Sequence, residues 1–142
     1  MHDRVLLDSN VLAYAFDSTD GRKQAIARTL VEDGLRQRMS FVVSLQNINE
    51  FFSIVTTKAH HGMSVRAAAD AVDGFLAKIP CYCPDTRTVE YALALLKLYG
   101  IPYWDALIAS VMLENSILTV YTENEKDFRK IPGIKVVNPF RK

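Results

Sequence analysis

Short apolar runs that stop abruptly on polar residues, separated by longer helical patterns, constrain this chain more than any other feature. Val5-Leu6-Leu7 ends on Asp8-Ser9-Asn10, Phe41-Val42-Val43 ends on Ser44, and Ile117–Tyr121 runs into Thr122-Glu123-Asn124. Such runs lack strict alternation, as strands buried on both faces do. Arg4–Leu7, Phe41–Val43, Cys81–Cys83 (between Pro80 and Pro84), Ile117–Tyr121 and Ile134–Val137 are therefore read as strands. A helix is predicted from Arg22 to about Gln37, with Ala25, Ile26, Thr29, Leu30 and Leu35 as its apolar stripe. Ser44 is placed to cap a helix reaching about Ala59, and Ser64 another whose core face carries Val65, Ala68, Ala69, Val72 and Leu76. The helical pattern Thr86–Tyr99 stops at Gly100, suited to a left-handed terminus, and Pro102 opens a helix through about Glu114. Strands alternating with helices imply an α/β fold in three layers, a short parallel sheet flanked by helices. At 142 residues, one domain spanning 1–142 is expected.

Composition narrows the class. Hydrophobic residues make up 49% and charged residues 23%, a globular balance that argues against disorder. A net charge of +1 gives no general attraction for polyanions, so nucleic-acid binding would have to rest on local Lys and Arg clusters. No apolar stretch approaches the ~20 residues that span a bilayer, and no signal pattern opens the chain, so a soluble cytoplasmic protein is expected. Cys81 and Cys83 would point to opposite faces of a strand, which disfavours a disulfide. With no further Cys or nearby His to complete a metal site, the pair reads as reduced thiols.

In parallel sheets, ligands gather beyond the carboxyl ends of the strands. Asp8 stands where the first strand ends. In SLQNINEFFSIVTT, Ile48, Phe52 and Val55 are spaced to face the core, while Gln46, Asn49 and Glu50 share another face. Asp105 falls in the first turn of its helix, where the helix dipole favours a carboxylate. Thr122-Glu123-Asn124-Glu125-Lys126-Asp127 follows the fourth long apolar run. Singly, these acids read as a cap, a helix-terminal charge, an exposed helical acid and a solvated loop. Together they fall near one sheet edge. Two carboxylates ~4 Å apart repel by ~4 kcal/mol at an effective dielectric of 20. Either some are protonated or a divalent cation sits between them. An all-oxygen ligand set suits Mg²⁺ or Mn²⁺, and such a site activates water and stabilises a phosphoryl oxygen. Metal-dependent phosphodiester hydrolysis is the chemistry this pattern favours.

The segments LLDSNVLAYAFD, LQNINEFF, YWDALIASV and TVYTENEKDF, followed by IPGIKVVNPF, resemble the successive motifs of a PIN domain, most of all the VapC-like toxin ribonucleases of toxin–antitoxin pairs. The resemblance runs from Val5 to Phe140. It implies a PIN-like fold whose Asp8 and Asp105 ligate Mg²⁺ (or Mn²⁺), with Glu50 holding metal-bound water or a second ion. Ser9 and Asn10 would orient Asp8 or the incoming phosphate, and Thr122 would bond the metal-binding acids. Many members carry Asp where this chain has Asn124. Glu123 then takes the fourth catalytic place, with Glu125 and Asp127 as substitutes; a related subgroup carries the pair seen here in Asn124 and Asp127-Phe128. The implied function is an endoribonuclease toxin, with tRNA as a target, a small VapB-like antitoxin as partner, and homodimer formation.

Other residues divide between bland and functional roles. His60 and His61 are adjacent, unlike helical metal ligands, and read as loop residues. Trp104 could stack on a base, but packing beneath the acidic edge is favoured. Lys126, Arg129 and Lys130 either contact RNA phosphates or form a solvated face, and Arg22, Lys23, Arg28, Arg36 and Arg38 could form a second basic strip. Leu30, Leu35, Phe51 and Phe52 are candidates for a partner surface. Two further readings remain open. One is a PIN-like binding module without catalysis, favoured by Asn124; the other is a phosphatase with Asp8 as nucleophile, weakened because Asn10 supplies no general acid.

Overall fold

Five short strands form an all-parallel sheet in the order β3-β2-β1-β4-β5 in the computed structural model, which describes residues 3–57 and 62–141. In chain order the elements are β1 (Val5–Leu7), α1 (Ser9–Tyr14), α2 (Gly21–Leu35), β2 (Phe41–Ser44), α3 (Leu45–Thr56) and α4 (Val65–Lys78). They continue with β3 (Cys81–Tyr82), α5 (Thr86–Tyr99), α6 (Tyr103–Glu114), β4 (Thr119–Tyr121), α7 (Glu125–Phe128) and β5 (Lys135–Val137). His60 and His61 lie outside the described residues, and α3 ends at Thr56, short of the expected Ala59, because the chain turns extended at Thr57.

Because successive strand residues point to opposite faces, the sheet feeds two cores. Leu7, Phe41 and Val43 join Val11, Val31, Phe51 and Phe75 under α1–α4. Leu6, Val42 and Val120 join Leu95, Ile108, Met112 and Phe128 under α5–α7. This is the expected three-layer α/β/α arrangement. On the first side, Phe51 meets Phe16 and Phe75 edge-on, with ring centroids 5.6 and 5.1 Å away.

Three helical faces differ from the sequence expectation. In α2 the buried positions are Ala27, Val31 and Gly34, while Ala25 and Thr29 are exposed. Small residues set this face: a Cβ at Gly34 would lie 3.3 Å from Ile79 Cδ1, so the bare glycine lets α2 approach Ile79 and Phe41. The helix also ends before Gln37, whose φ of 58° is left-handed. In α3, Phe51 rather than Phe52 is wholly buried, which removes Phe51 from any partner surface; Leu30, Leu35 and Phe52 pack partly buried against the same core. In α4 the inward line is Ala68 and Phe75, leaving Val65 66% and Leu76 48% exposed.

Caps fix the helix entries that matter for the carboxyl edge. Ser44 accepts from the Asn47 N–H at 3.1 Å while Asn47 Oδ1 accepts from the Ser44 N–H at 2.9 Å, a reciprocal cap. Gly100, at φ 64°, closes α5, and Pro102 precedes the first residue of α6. Cys81 and Cys83 are free thiols, the first half-buried and the second exposed. Among the described residues no single helix is long and apolar enough to cross a membrane.

Candidate active site

From the central strand β1 the chain proceeds to β2 and β3 on one side, whereas β4 and β5 lie on the other. The order therefore reverses between β1 and β4, and the crevice of a doubly wound sheet opens there. Asp8 leaves β1 at that point and Thr122 leaves β4 beside it, with the Asp8 N–H still bonded to the Tyr121 carbonyl at 3.0 Å.

Asp8 is only 5% exposed and sits in a cradle of donors. Its Oδ1 accepts from the Ser9 N–H (2.8 Å), Asn47 Nδ2 (3.2 Å) and Ser9 Oγ (3.4 Å). Its Oδ2 accepts from Thr122 Oγ1 (2.7 Å) and Asn10 Nδ2 (3.3 Å). Burial raises the Asp8 pKa above its ordinary 3.8, while the Thr122 hydroxyl and the other donors oppose that rise. The strand thus ends in a carboxylate held in one orientation.

Two further acids converge on it. Glu50, half-buried on α3, has its pKa raised by burial and then by the charge of Asp8. Gln46 Nε2 donates to Glu50 Oε1 at 3.4 Å and to the Trp104 carbonyl at 3.0 Å, linking α3 to the start of α6. Asp105, in the first turn of α6, is pushed to about 7, first by burial, then by Asp8, Asp127 and Glu50. Asn124 Nδ2 donates to Asp105 Oδ2 at 3.2 Å. The charged groups acting on Asp105 are thus all carboxylates. An all-oxygen, mutually repelling set of this kind fits a hard divalent cation in charge and donor chemistry. Among the described residues the acids do not close into a ready coordination group.

The loop after β4 divides its acids among different tasks. Glu123 turns toward α1 and α2, where Tyr14 Oη donates to it at 2.7 Å and the Lys23 ammonium pairs with it. Glu125 is buried rather than solvated, and clasps Arg129 (2.5 Å), Arg141 (2.6 Å) and Asn138 (3.0 Å). Those partners lower its pKa, Arg141 foremost. Asp127 is half-buried, 3.8 Å from Lys130 Nζ, and acts directly on Asp105. Asp8, Glu50, Asp105 and Asp127 therefore share one electrostatic neighbourhood, while Glu123 and Glu125 serve other contacts.

The basic residues are similarly parcelled out. Arg129 and Lys130 face Glu125 and Asp127, and Lys126 is exposed. Lys23 pairs with Glu123, Arg28 Nε donates to the Ala15 carbonyl at 3.0 Å, and Arg22 reaches the Phe140 carbonyl. These three tie α2 to its neighbours instead of forming a strip. Trp104 is 61% exposed, against the expectation of packing under the edge. It lines a cavity of about 430 Å³ together with Leu45, Gln46, Asn49, Glu50 and Pro84. Asn47, fully buried and bonded to Asp8, was not singled out from sequence; its position three residues after the capping Ser44 was the available signal.

A family model for the PIN domain matches residues 5–134. No match was found among curated proteins. Among solved structures, a toxin–antitoxin complex from Klebsiella pneumoniae is similar at 23% identity and TM-score 0.68, covering 95% of this chain and 97% of that one. VapC20 of Mycobacterium tuberculosis, a sarcin–ricin loop cleaving toxin, is similar at 18% identity and TM-score 0.70, covering 94% of this chain and 99% of its own. VapBC2 from Rickettsia felis, bound to a DNA fragment from its promoter, is similar at 21% identity and TM-score 0.67, covering 95% and 98%. At these identities the structural likeness speaks to fold. The family match extends from β1 to the approach to β5, and on that ground the chain belongs to the PIN domain family.

Proposed function

We propose that this protein is a divalent-metal-dependent endoribonuclease and the toxin of a toxin–antitoxin pair. One observation carries the reading: the carboxylates of Asp8, Asp127 and Glu50 all bear on Asp105 at the carboxyl edge of the sheet, and among the described residues no positive charge offsets them there. The structural neighbours, which include a toxin–antitoxin complex and a sarcin–ricin loop cleaving toxin, support the biological setting.

In this reading Asp8 and Asp105 would hold Mg²⁺, or Mn²⁺ in its place, with Glu50 and Asp127 contributing negative charge beside them. The bound ion supplies Lewis acidity toward the phosphodiester and lowers the pKa of water. The chain's own residues do the rest. Ser9, Asn10, Asn47 and Thr122 fix Asp8, so little reorganisation is needed when a cation arrives. Glu50, half-buried beside Asp8 with its pKa raised by burial and by that charge, would take a proton from attacking water. Asn124 steadies Asp105 by its amide hydrogen bond. Lys126 offers an exposed cation to RNA phosphates, with Arg129 and Lys130 contributing where they exchange their present partners. A small antitoxin protein, a homodimer and a tRNA or similar RNA loop as substrate belong to the same proposal.

Asp105→Asn provides the test. It is expected to abolish cleavage of single-stranded RNA and weaken Mn²⁺ binding by calorimetry while the circular dichroism spectrum stays unchanged. Full ribonuclease activity in that variant, with metal still bound, would overturn the assignment. A second reading, a binding module without catalysis, draws on Asn124 standing where many members carry Asp. The absence of saturable Mn²⁺ binding by the wild-type protein would favour it.

A further inference from the structure

The cavity beside Glu50 contains features that the acidic site does not use. It opens between α3 and the start of α6, with apolar walls from Leu45, Pro84 and the indole of Trp104. At about 430 Å³ it is at the small end of ligand-sized pockets. Trp104 presents most of its surface to solvent, 61% exposed, although a large aromatic gains most from burial. The Tyr103 ring stands edge-on to the indole at 5.2 Å, in the T-shaped arrangement favoured by aromatic pairs.

Gln46 is the second, independent sign. It is 9% exposed and lines the cavity, and both of its Nε2 contacts are donated, to Glu50 and to the Trp104 carbonyl. Its Oε1 is buried without a hydrogen-bond partner, the one such side-chain atom among the described residues. A buried acceptor left in this state is costly and calls for a donor. An aromatic platform, apolar walls and an orphan acceptor together describe a flat, stackable group carrying an N–H. Glu50, one of the acids proposed to surround the cation, forms part of the same wall.

We propose that this cavity is a nucleobase subsite. It takes one unstacked base of a single-stranded RNA, stacked on Trp104, with the Gln46 amide turning so that its Oε1 accepts from an exocyclic amino group. The subsite would fix which base flanks the cleaved bond, and so select loops over duplexes, because a paired base can neither enter nor stack there. The inference rests on the ribonuclease reading for the identity of the polymer, but its test is a binding measurement that needs no cleavage.

Trp104 is the chain's one tryptophan, so its fluorescence reports the site directly. The experiment titrates the full-length protein, without divalent metal, with a short oligoadenylate and with the same oligomer carrying purine riboside in place of adenosine. Saturable quenching by oligoadenylate is expected, with binding about 2- to 10-fold weaker for purine riboside, which stacks but lacks the amine. By anisotropy with a labelled oligomer, Trp104→Ala should bind about 5- to 100-fold more weakly, and Trp104→Phe should stay close to wild type. Trp104 is exposed, so its substitution spares the core, and circular dichroism checks the fold. Equal binding by wild type and Trp104→Ala would overturn the subsite, as would quenching by a peptide but not by RNA. Equal binding of the two oligomers would overturn the role of Gln46. An Asp105→Asn variant that still cleaves RNA would defeat the ribonuclease assignment while leaving the quenching result standing, so the two failures are distinguishable.

Discussion

Thr122 carries more of the site than its size suggests. Its hydroxyl donates to Asp8 Oδ2 at 2.7 Å and accepts from the Asn124 N–H at 2.9 Å, joining the two acid-bearing segments through one oxygen. Thr122→Val keeps the shape and removes both bonds. Losing a hydrogen bond to a charged group costs about 1.5–3 kcal/mol, a loss to be read from urea denaturation, and the Asp8 pKa should rise further. The fourth acid is also decided at single residues. Glu123→Gln is expected to loosen the contact with Lys23 on α2 by less than about 1 kcal/mol, as half-exposed ion pairs do, and to leave cleavage largely intact. Asp127→Asn is expected to reduce cleavage at least tenfold. Matched RNA-cleavage rates for the two variants decide between them; the opposite ranking would return the role to Glu123. Sequence alone placed Asp8, Glu50 and Asp105 near one edge because each sits at a recognisable offset from a strand end or helix start. It could not rank Glu123, Glu125 and Asp127, since a one-turn helix sends neighbouring carboxylates in different directions and only the partners, Lys23, Arg141 and Asp105, reveal which way each one points.

Element boundaries were legible at the caps and the glycine singled out from the sequence, whereas α1, capped by Asp8, was not foreseen as a helix. Ser44, Ser64, Gly100 and Pro102 all stand at the helix ends they were expected to mark. Inward faces were harder to read, because counting large apolar residues favours Leu and Phe when the contact is made by something small. Gly34 is the example: α2 meets Ile79 and Phe41 where it has no side chain. Gly34→Val should therefore destabilise the protein by about 1–3 kcal/mol through overpacking, seen as a lowered thermal midpoint. At Gly100, nothing lies within 4 Å of a would-be Cβ, so Gly100→Ala tests conformation alone. The left-handed φ of 64° should cost alanine about 1–2 kcal/mol. That turn sets where α6 begins, so any slip there should also lower cleavage by moving Asp105.

Across the whole molecule, the acidic edge works against folding when no cation is bound. Asp105 has an ordinary pKa of 3.8 and rises to about 7 in the folded protein. Between those values the folded state binds the proton more tightly than the unfolded chain does. Its contribution to stability is present at low pH and is lost as pH rises through about 7. Metal-free protein should therefore lose stability between about pH 4 and pH 7 in chemical denaturation and level off above, and Mn²⁺ should restore it most at pH 8, where the carboxylates are free to bind. A flat response to Mn²⁺ at pH 8 would contradict the shared acidic neighbourhood.

The clasp of Glu125 reaches beyond local stability. The same one-turn helix holds residues 138–141 through Glu125 and presents Asp127 to Asp105. Arg22 of α2 grips the Phe140 carbonyl from the other side. The tail is in effect a latch on Asp127, fastened at Glu125 and at Arg22. Trimming the chain back to Val137 should leave the sheet standing but set α7 swinging, so that hydrolysis falters before melting does.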